Sequence, residues 1–253
     1  MIVGILGCGA IANVLIRKIE NKEEILIKYF YDRDIEKAEN LAQVSNGTVV
    51  LDFQDMIDNV DLVLESASQS SVKELIPQVL KKGKDVIIMS VGALLDNDFW
   101  NEINNISKKT GSKIHIPSGA IAGLDAIKAG SVGEIKKVLL TTRKSPSSLG
   151  MNIIEEEILF VGKASEAVKR FPLNINVAAT LSIASNLDID VKILVDPKVD
   201  RNIHQVLVEG DFGRVITETE NLPCESNPKT SILAAYSAIQ LLNGLIEPFN
   251  LGT

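Results

Sequence analysis

The first twelve residues constrain the fold more than any other stretch. The apolar run Met1-Ile2-Val3-Gly4-Ile5-Leu6 leads straight into Gly7-Cys8-Gly9-Ala10-Ile11-Ala12. An apolar run of strand length thus enters a turn whose small residues, Gly7, Gly9 and Ala12, are spaced G-x-G-x-x-A. The first allows a tight turn off the strand, and the second lets backbone approach a dinucleotide pyrophosphate. The third allows the next helix to pack closely on the sheet. The start of that helix offers unpaired N–H groups and a positive dipole end to the phosphates. A second β-rich run over 24–31 ends at Asp32, twenty residues beyond Ala12. A carboxylate there accepts hydrogen bonds from the adenosine ribose hydroxyls, which suits NAD. Arg33 follows at once, and its guanidinium suits a 2′-phosphate, so NAD and NADP are both open. The plain alternative is that Asp32-Arg33-Asp34 is a charged turn before a helix.

Beyond Asp32, short apolar runs alternate with segments of helical periodicity. Helices are expected over 34–44, 72–82 and 98–110, with strands over 48–51, 61–68, 84–90 and 113–117. Ser70 or Ser71 is placed to cap the second of these helices, and Gly111 to close the third. Repeated β-α-β units imply a parallel, doubly wound sheet with helices on both faces. The pattern changes after Pro117. A glycine-rich loop, Ser118–Asp125, leads to longer strands over 136–143, 190–195, 203–210 and 212–220, the last two joined at Gly210-Asp211 as an antiparallel hairpin. Helices are expected over 176–186 and 229–244. The fold class is therefore α/β, with a Rossmann domain over 1–115 and a smaller α+β domain over 116–253. The 229–244 helix is free to pack back on the first domain.

A net charge of −7 over 253 residues gives a polyanion-binding role little support, so no nucleic-acid partner is expected. The apolar residues, 45% of the chain, are dispersed, and no run approaches a membrane span. With the first strand at the N-terminus, no signal peptide is expected. Cys8 and Cys224 form neither a C-x-x-C pair nor a zinc spacing. No metal is expected, and a reducing, cytoplasmic setting is.

Ligands of a parallel α/β sheet bind at the carboxyl ends of its strands. The expected cofactor site is therefore Gly7, Gly9, Ala10, Ile11, Asp32, Arg33, Ala67 and Ser68. The Ser118–Gly123 loop suits a nicotinamide carboxamide or a substrate carboxylate, or it is a flexible crossing between domains. Hydride chemistry at a C–N or C–O bond needs an acid/base group, and the chain has two histidines. His115, between two isoleucines, is expected in packing, whereas His204 shares a strand face with Asn202. Lys144 and Lys229 are the cations placed to meet an anionic substrate, or they are ordinary surface lysines.

Longer segments carry a resemblance. Ile116-Pro117-Ser118-Gly119-Ala120-Ile121-Ala122-Gly123-Leu124-Asp125, Phe171-Pro172-Leu173-Asn174-Ile175-Asn176-Val177-Ala178, Asp200-Arg201-Asn202-Ile203-His204 and Ser226-Asn227-Pro228-Lys229-Thr230-Ser231 resemble the L-aspartate dehydrogenase family of archaea and bacteria. Arg143-Lys144-Ser145-Pro146 belongs to the same likeness, although Lys-Pro-Pro is the more usual pattern there. The resemblance spans essentially the whole chain. It implies NAD(P)-dependent oxidative deamination of L-aspartate to iminoaspartate, which hydrolyses to oxaloacetate and ammonia or feeds NAD biosynthesis. It also implies a catalytic His204, nicotinamide-side contacts at Ala120 and at Asn176 or Asn174, and a homodimer built on the second domain. Two rivals are a related two-domain enzyme acting on homoserine or a dihydrodipicolinate-like imine, and a non-catalytic nucleotide sensor.

Overall fold

Residues 1–19, 23–171, 175–225, 227–249 and 251–252 are described by a computed structural model, in which the N-terminal apolar run forms β1 (Ile2–Leu6). By contacts the chain divides into two units, Met1–Pro117 with Ala238–Pro248, and Ser118–Ser237 with the tail from Phe249. In the first unit α1 (Ala10–Lys18), β2 (Leu26–Tyr31), α2 (Ile35–Ser45), β3 (Thr48–Val49), α3 (Phe53–Asn59) and β4 (Leu62–Glu65) follow. After them come α4 (Gln69–Lys81), β5 (Asp85–Ile88), a 3-10 turn over Val91–Leu95, α5 (Asn97–Thr110) and β6 (Ile114–His115). The six strands run parallel in the order β3-β2-β1-β4-β5-β6. Val3, Ile5, Leu62, Val63, Leu64, Val86, Ile87 and Ile88 are all buried. These strands therefore read as continuous apolar runs, as a sheet covered on both faces requires. The strand order reverses between β1 and β4, the place where such sheets open a ligand crevice.

One local expectation changes here. The cap of α4 is Ser68, whose Oγ accepts the Ser71 N–H at 3.1 Å, and Ser70 and Ser71 lie inside the first turn. Ser68 is already in extended conformation with its hydroxyl over the helix start, so the later serines are free to be helical. Asp34 does occupy the cap position of α2, but its carboxylate pairs with Lys37 at 3.0 Å instead of capping.

The second unit contains α6 (Leu124–Gly130), β7 (Ile135–Lys144), α7 (Pro146–Leu149), β8 (Glu157–Lys163), α8 (Ala164–Arg170) and α9 (Asn176–Ser185). It continues with β9 (Asp190–Val195), β10 (Asn202–Gly210), β11 (Gly213–Asn221), β12 (Pro223–Cys224), β13 (Asn227–Ser231) and the start of α10 (Ile232–Gly244). Its sheet has the order β11-β10-β7-β9-β8 and is mixed: β7 and β9 are parallel, the other pairs antiparallel. Alternate residues of β7 and β10, such as Val138, Leu140, Val206 and Val208, are buried, the period-2 pattern of a sheet with one covered face.

The β10–β11 hairpin exists, but its two-residue loop is Asp211-Phe212, with Gly210 opposite Gly213. Gly210 stays in the strand because its Cα lies against the Glu134 carbonyl, where a Cβ would come within 2.5 Å. The expected 229–244 helix is also shortened. It begins at Ile232, and Lys229 lies in β13, paired with β12. Asn227 Oδ1 accepts the Lys229 N–H at 3.0 Å, an Asx turn that competes with helix initiation. The helix N-terminus therefore falls directly after Ser231, three residues later than expected.

Candidate active site

In the first unit, the residues expected at a dinucleotide gather around one crevice. Gly7, Gly9, Asp32, Arg33, Ala67 and Ser68 line a cavity of about 310 Å³, joined by Leu6, Tyr31, Lys37, Ser66, Ser71, Glu74 and Leu75. Gly7 turns the chain at φ 94°, and a Cβ there would meet the Ala67 backbone nitrogen at 2.5 Å. No other residue type fits that turn. Ser66 Oγ donates to the Gly7 carbonyl at 2.8 Å, fixing the same approach from the other side. Gly9 is the cap residue of α1 and has open space where a Cβ would stand; Ala10 and Ile11 follow as the first helical residues. The first turn of α1 holds no acidic side chain. The Gly7 and Cys8 N–H groups are used within the protein, by the Tyr31 carbonyl and Asp32, so the cradle for a pyrophosphate is the open space at Gly9 and the start of α1.

Asp32 holds the turn together. Its Oδ2 accepts the Cys8 N–H at 2.7 Å and its Oδ1 the Asp34 N–H at 2.9 Å, so one carboxylate ties the phosphate turn to the end of β2. Burial first, and the Asp32 charge second, push the Cys8 thiol up to about 12, so it stays protonated. Arg33 is exposed at the rim and faces Glu74 at 3.5 Å.

The second unit assembles a different surface. The β7–β10 register sets Thr142 opposite His204, and the β10–β11 register sets Thr219 opposite His204 and Asn221 opposite Asn202. With period-2 alternation, Thr142, Lys144, Asn202, His204, Thr219 and Asn221 share one sheet face. Five of them are nearly inaccessible: Thr142, Lys144, Asn202, His204 and Asn221 are 3–5% exposed. His204 Nδ1 lies 3.0 Å from Thr142 Oγ1. Burial, and then the Lys144 charge, hold the imidazole down at about 3. Lys144 is itself lowered to about 8, chiefly by burial and then by Lys229. Asn202 Nδ2 reaches Ser231 Oγ at 3.5 Å. Arg143, on the opposite face, pairs with Asp196 at 2.6 Å and with Glu156.

Ala120 stands over this face. Its carbonyl accepts from Thr219 Oγ1 at 2.9 Å and Asn221 Nδ2 at 3.0 Å, while the Gly119 N–H donates to Ser237 Oγ at 3.0 Å. The Ser118–Gly123 loop is thus clamped within its unit. Asn176 begins α9, and Asn174 lies outside the described residues. Lys229 is exposed on β13 and is felt by Lys144 as a like charge. His115 lies in the first unit, on β6, 3.8 Å from Asp85, and burial holds its pKa below the usual range. Thr142, Thr219 and Asn221 went unread from sequence, because only the strand register brings them beside His204 and Asn202. Among the described residues, no group of three or more His, Cys, Asp or Glu side chains is placed to hold a metal ion, and no helix is long and apolar enough to cross a membrane.

Comparisons with known proteins divide the chain along the same lines. Residues 7–117 match the family described as homoserine dehydrogenase, NAD binding domain, and residues 125–245 match aspartate dehydrogenase, C-terminal. An L-aspartate dehydrogenase of Methanothermobacter thermautotrophicus is 53% identical over 254 residues, covering 100% of this chain and 99% of the relative. One from Methanococcus maripaludis is 43% identical, with 99% of each covered. The crystal structure of aspartate dehydrogenase from Thermotoga maritima superposes with a TM-score of 0.83 at 33% identity, covering 100% of this chain and 99% of that one.

Proposed function

Because the chain belongs to the L-aspartate dehydrogenase family, we propose that it oxidises L-aspartate with NAD or NADP, giving iminoaspartate and then oxaloacetate and ammonia. Residues 1–115 serve as the cofactor domain and 116–253 as the substrate domain. The observation that carries the reading is the buried pairing of His204 with Thr142, on a sheet face that also holds Lys144. An imidazole beside an ammonium group in a desolvated recess suits a substrate that brings both a transferable proton and two carboxylates.

The cofactor's pyrophosphate is held by the backbone of Gly7, Gly9, Ala10 and Ile11, and its adenosine ribose by Asp32. Arg33 at the rim accommodates the 2′-phosphate of NADP, and Ala67 and Ser68 line the remaining wall. Ala120 and Asn176 are assigned to the nicotinamide. When bound, that ring accepts the hydride leaving aspartate Cα. Lys144 and Lys229 receive the substrate carboxylates, and Asn202 orients the amino acid. The amine must first be neutral, since an ammonium nitrogen has no lone pair to form the C=N bond. His204 takes that proton. It passes that proton to solvent and, neutral again, takes a proton from the water adding to the imine carbon and delivers it to the departing ammonia.

Iminoaspartate released before hydrolysis supplies NAD biosynthesis. The protein works as a homodimer in the reducing cytoplasm. Ile158, Val161 and Ile216 support the dimer, since they stand 57%, 70% and 62% exposed on the strands of the second unit's sheet. Replacing Ile216 with Glu should shift the sedimenting species from dimer to monomer. For the catalytic assignment, His204→Ala should lower kcat about 10²–10⁴-fold while the protein still binds cofactor. An unchanged rate and pH profile would remove His204 from the mechanism.

A further inference from the structure

β4 reads Leu62-Val63-Leu64-Glu65, and its last residue breaks the apolar run with a carboxylate that is 0% exposed. An ionised carboxylate in such a place is tolerated only when hydrogen bonds replace its water. Glu65 has four. Its Oε1 accepts the N–H groups of Ala67 at 2.8 Å and Ser68 at 3.0 Å, and the Ser90 hydroxyl at 2.8 Å. Its Oε2 accepts the Ser90 N–H at 2.9 Å. Two of these donors belong to the loop after β4, and two to the residue that follows β5 and opens the 3-10 turn. One side chain therefore fastens together the carboxyl ends of two neighbouring strands.

What those ends do gives the contact a function. Ala67 and Ser68 form part of the crevice wall, and Ala67 is the residue against which Gly7 closes. Ser68 in turn caps α4. A shift of Ala67 would open or block the narrow approach that lets the phosphate turn adopt its shape. We propose that Glu65 is a positioning residue for the dinucleotide, holding the Ala67–Ser68 loop in the conformation that receives the cofactor. The inference rests on the cofactor reading above. Burial raises the Glu65 carboxyl above the usual range, while the four hydrogen bonds pull it back. A glutamine in its place keeps the shape but turns one acceptor into an NH₂ donor facing donors, so the loop must move.

The test compares wild type with Glu65→Gln by fluorescence titration with NADH and NADPH, and by steady-state kinetics with aspartate. Glu65→Gln should raise the cofactor Kd and KM at least tenfold, with the aspartate KM at saturating cofactor within about twofold of wild type. A variant that binds both cofactors like wild type, with only a lowered Tm, would overturn the positioning role. Wild type failing to bind either cofactor would instead overturn the reading on which it rests. Should Glu65→Gln not fold, Ser90→Ala removes one of the four donors and keeps the carboxylate. It should raise the cofactor Kd two- to fivefold, and an unchanged Kd would equally overturn the proposal.

Discussion

At the scale of single residues, the second unit concentrates its chemistry in groups whose protonation is set by burial. His204, held at about 3, is neutral at working pH and a weak base in the free protein. The conditions that depress it, burial on a polar face and the Lys144 ammonium, change when a substrate bearing two carboxylates enters. The imidazole pKa should then rise toward its ordinary value. The acid limb of kcat, which reports the substrate complex, is expected at higher pH than the His204 contribution to the acid limb of kcat/KM. Coincident limbs would contradict that coupling. The stability consequence has a definite sign. An unfolded histidine binds its proton near 6.5 and the folded one only near 3, so His204 lowers stability progressively as pH falls through that window. His204→Asn should flatten the fall in Tm between those values. Lys144 is buried, with its pKa lowered to about 8. Lys144→Met should raise the aspartate KM, read from initial rates. Glu65 and Lys144 show the limit of reading single residues from sequence. Nothing in Leu62–Glu65 or Arg143-Lys144 says that either charge is buried, because that depends on what packs above it.

At the scale of elements, the parts specified locally were legible and the parts specified by pairing were not. The β1 turn and the alternation through β6 follow from apolar runs, caps and glycines near in sequence. The structure accordingly departs from them at element ends and at the Ser68 cap, which starts α4 three residues early. The hairpin differs. A loop at Gly210-Asp211 puts Thr217 opposite His204, whereas the observed loop at Asp211-Phe212 puts Thr219 there and Asn221 opposite Asn202. That shift supplies both clamps on the Ala120 carbonyl. Asn221→Leu should lower stability by about 1–3 kcal/mol, because it leaves a buried carbonyl short of a donor. It should also loosen the Ser118–Gly123 loop, visible as faster amide exchange at Gly119 and Ile121. Unchanged exchange would show that Thr219 alone holds the loop. β8 and α8 escaped the sequence because their starts, at Glu157 and Ala164, carry neither an alternating apolar pattern nor a side-chain cap. In the first unit, Gly7→Ala should abolish cofactor binding and cost about 1–3 kcal/mol of strain, since both φ and the Ala67 backbone exclude a Cβ.

At the scale of the whole molecule, the N-terminal fingerprint alone says only that a dinucleotide binds, and many dehydrogenases share that half. In the proposed reaction the substrate is met by the second-unit face carrying Lys144, Asn202 and His204. The central claim is therefore that this face selects aspartate. Its most direct test measures the initial rate of NAD and NADP reduction by the purified protein with L-aspartate, L-glutamate, L-homoserine and L-alanine. The account predicts reduction that depends on aspartate, with kcat/KM at least a hundredfold above each other amino acid and with ammonia released in step. Preference for homoserine, or no aspartate-dependent reduction of either cofactor, would contradict it.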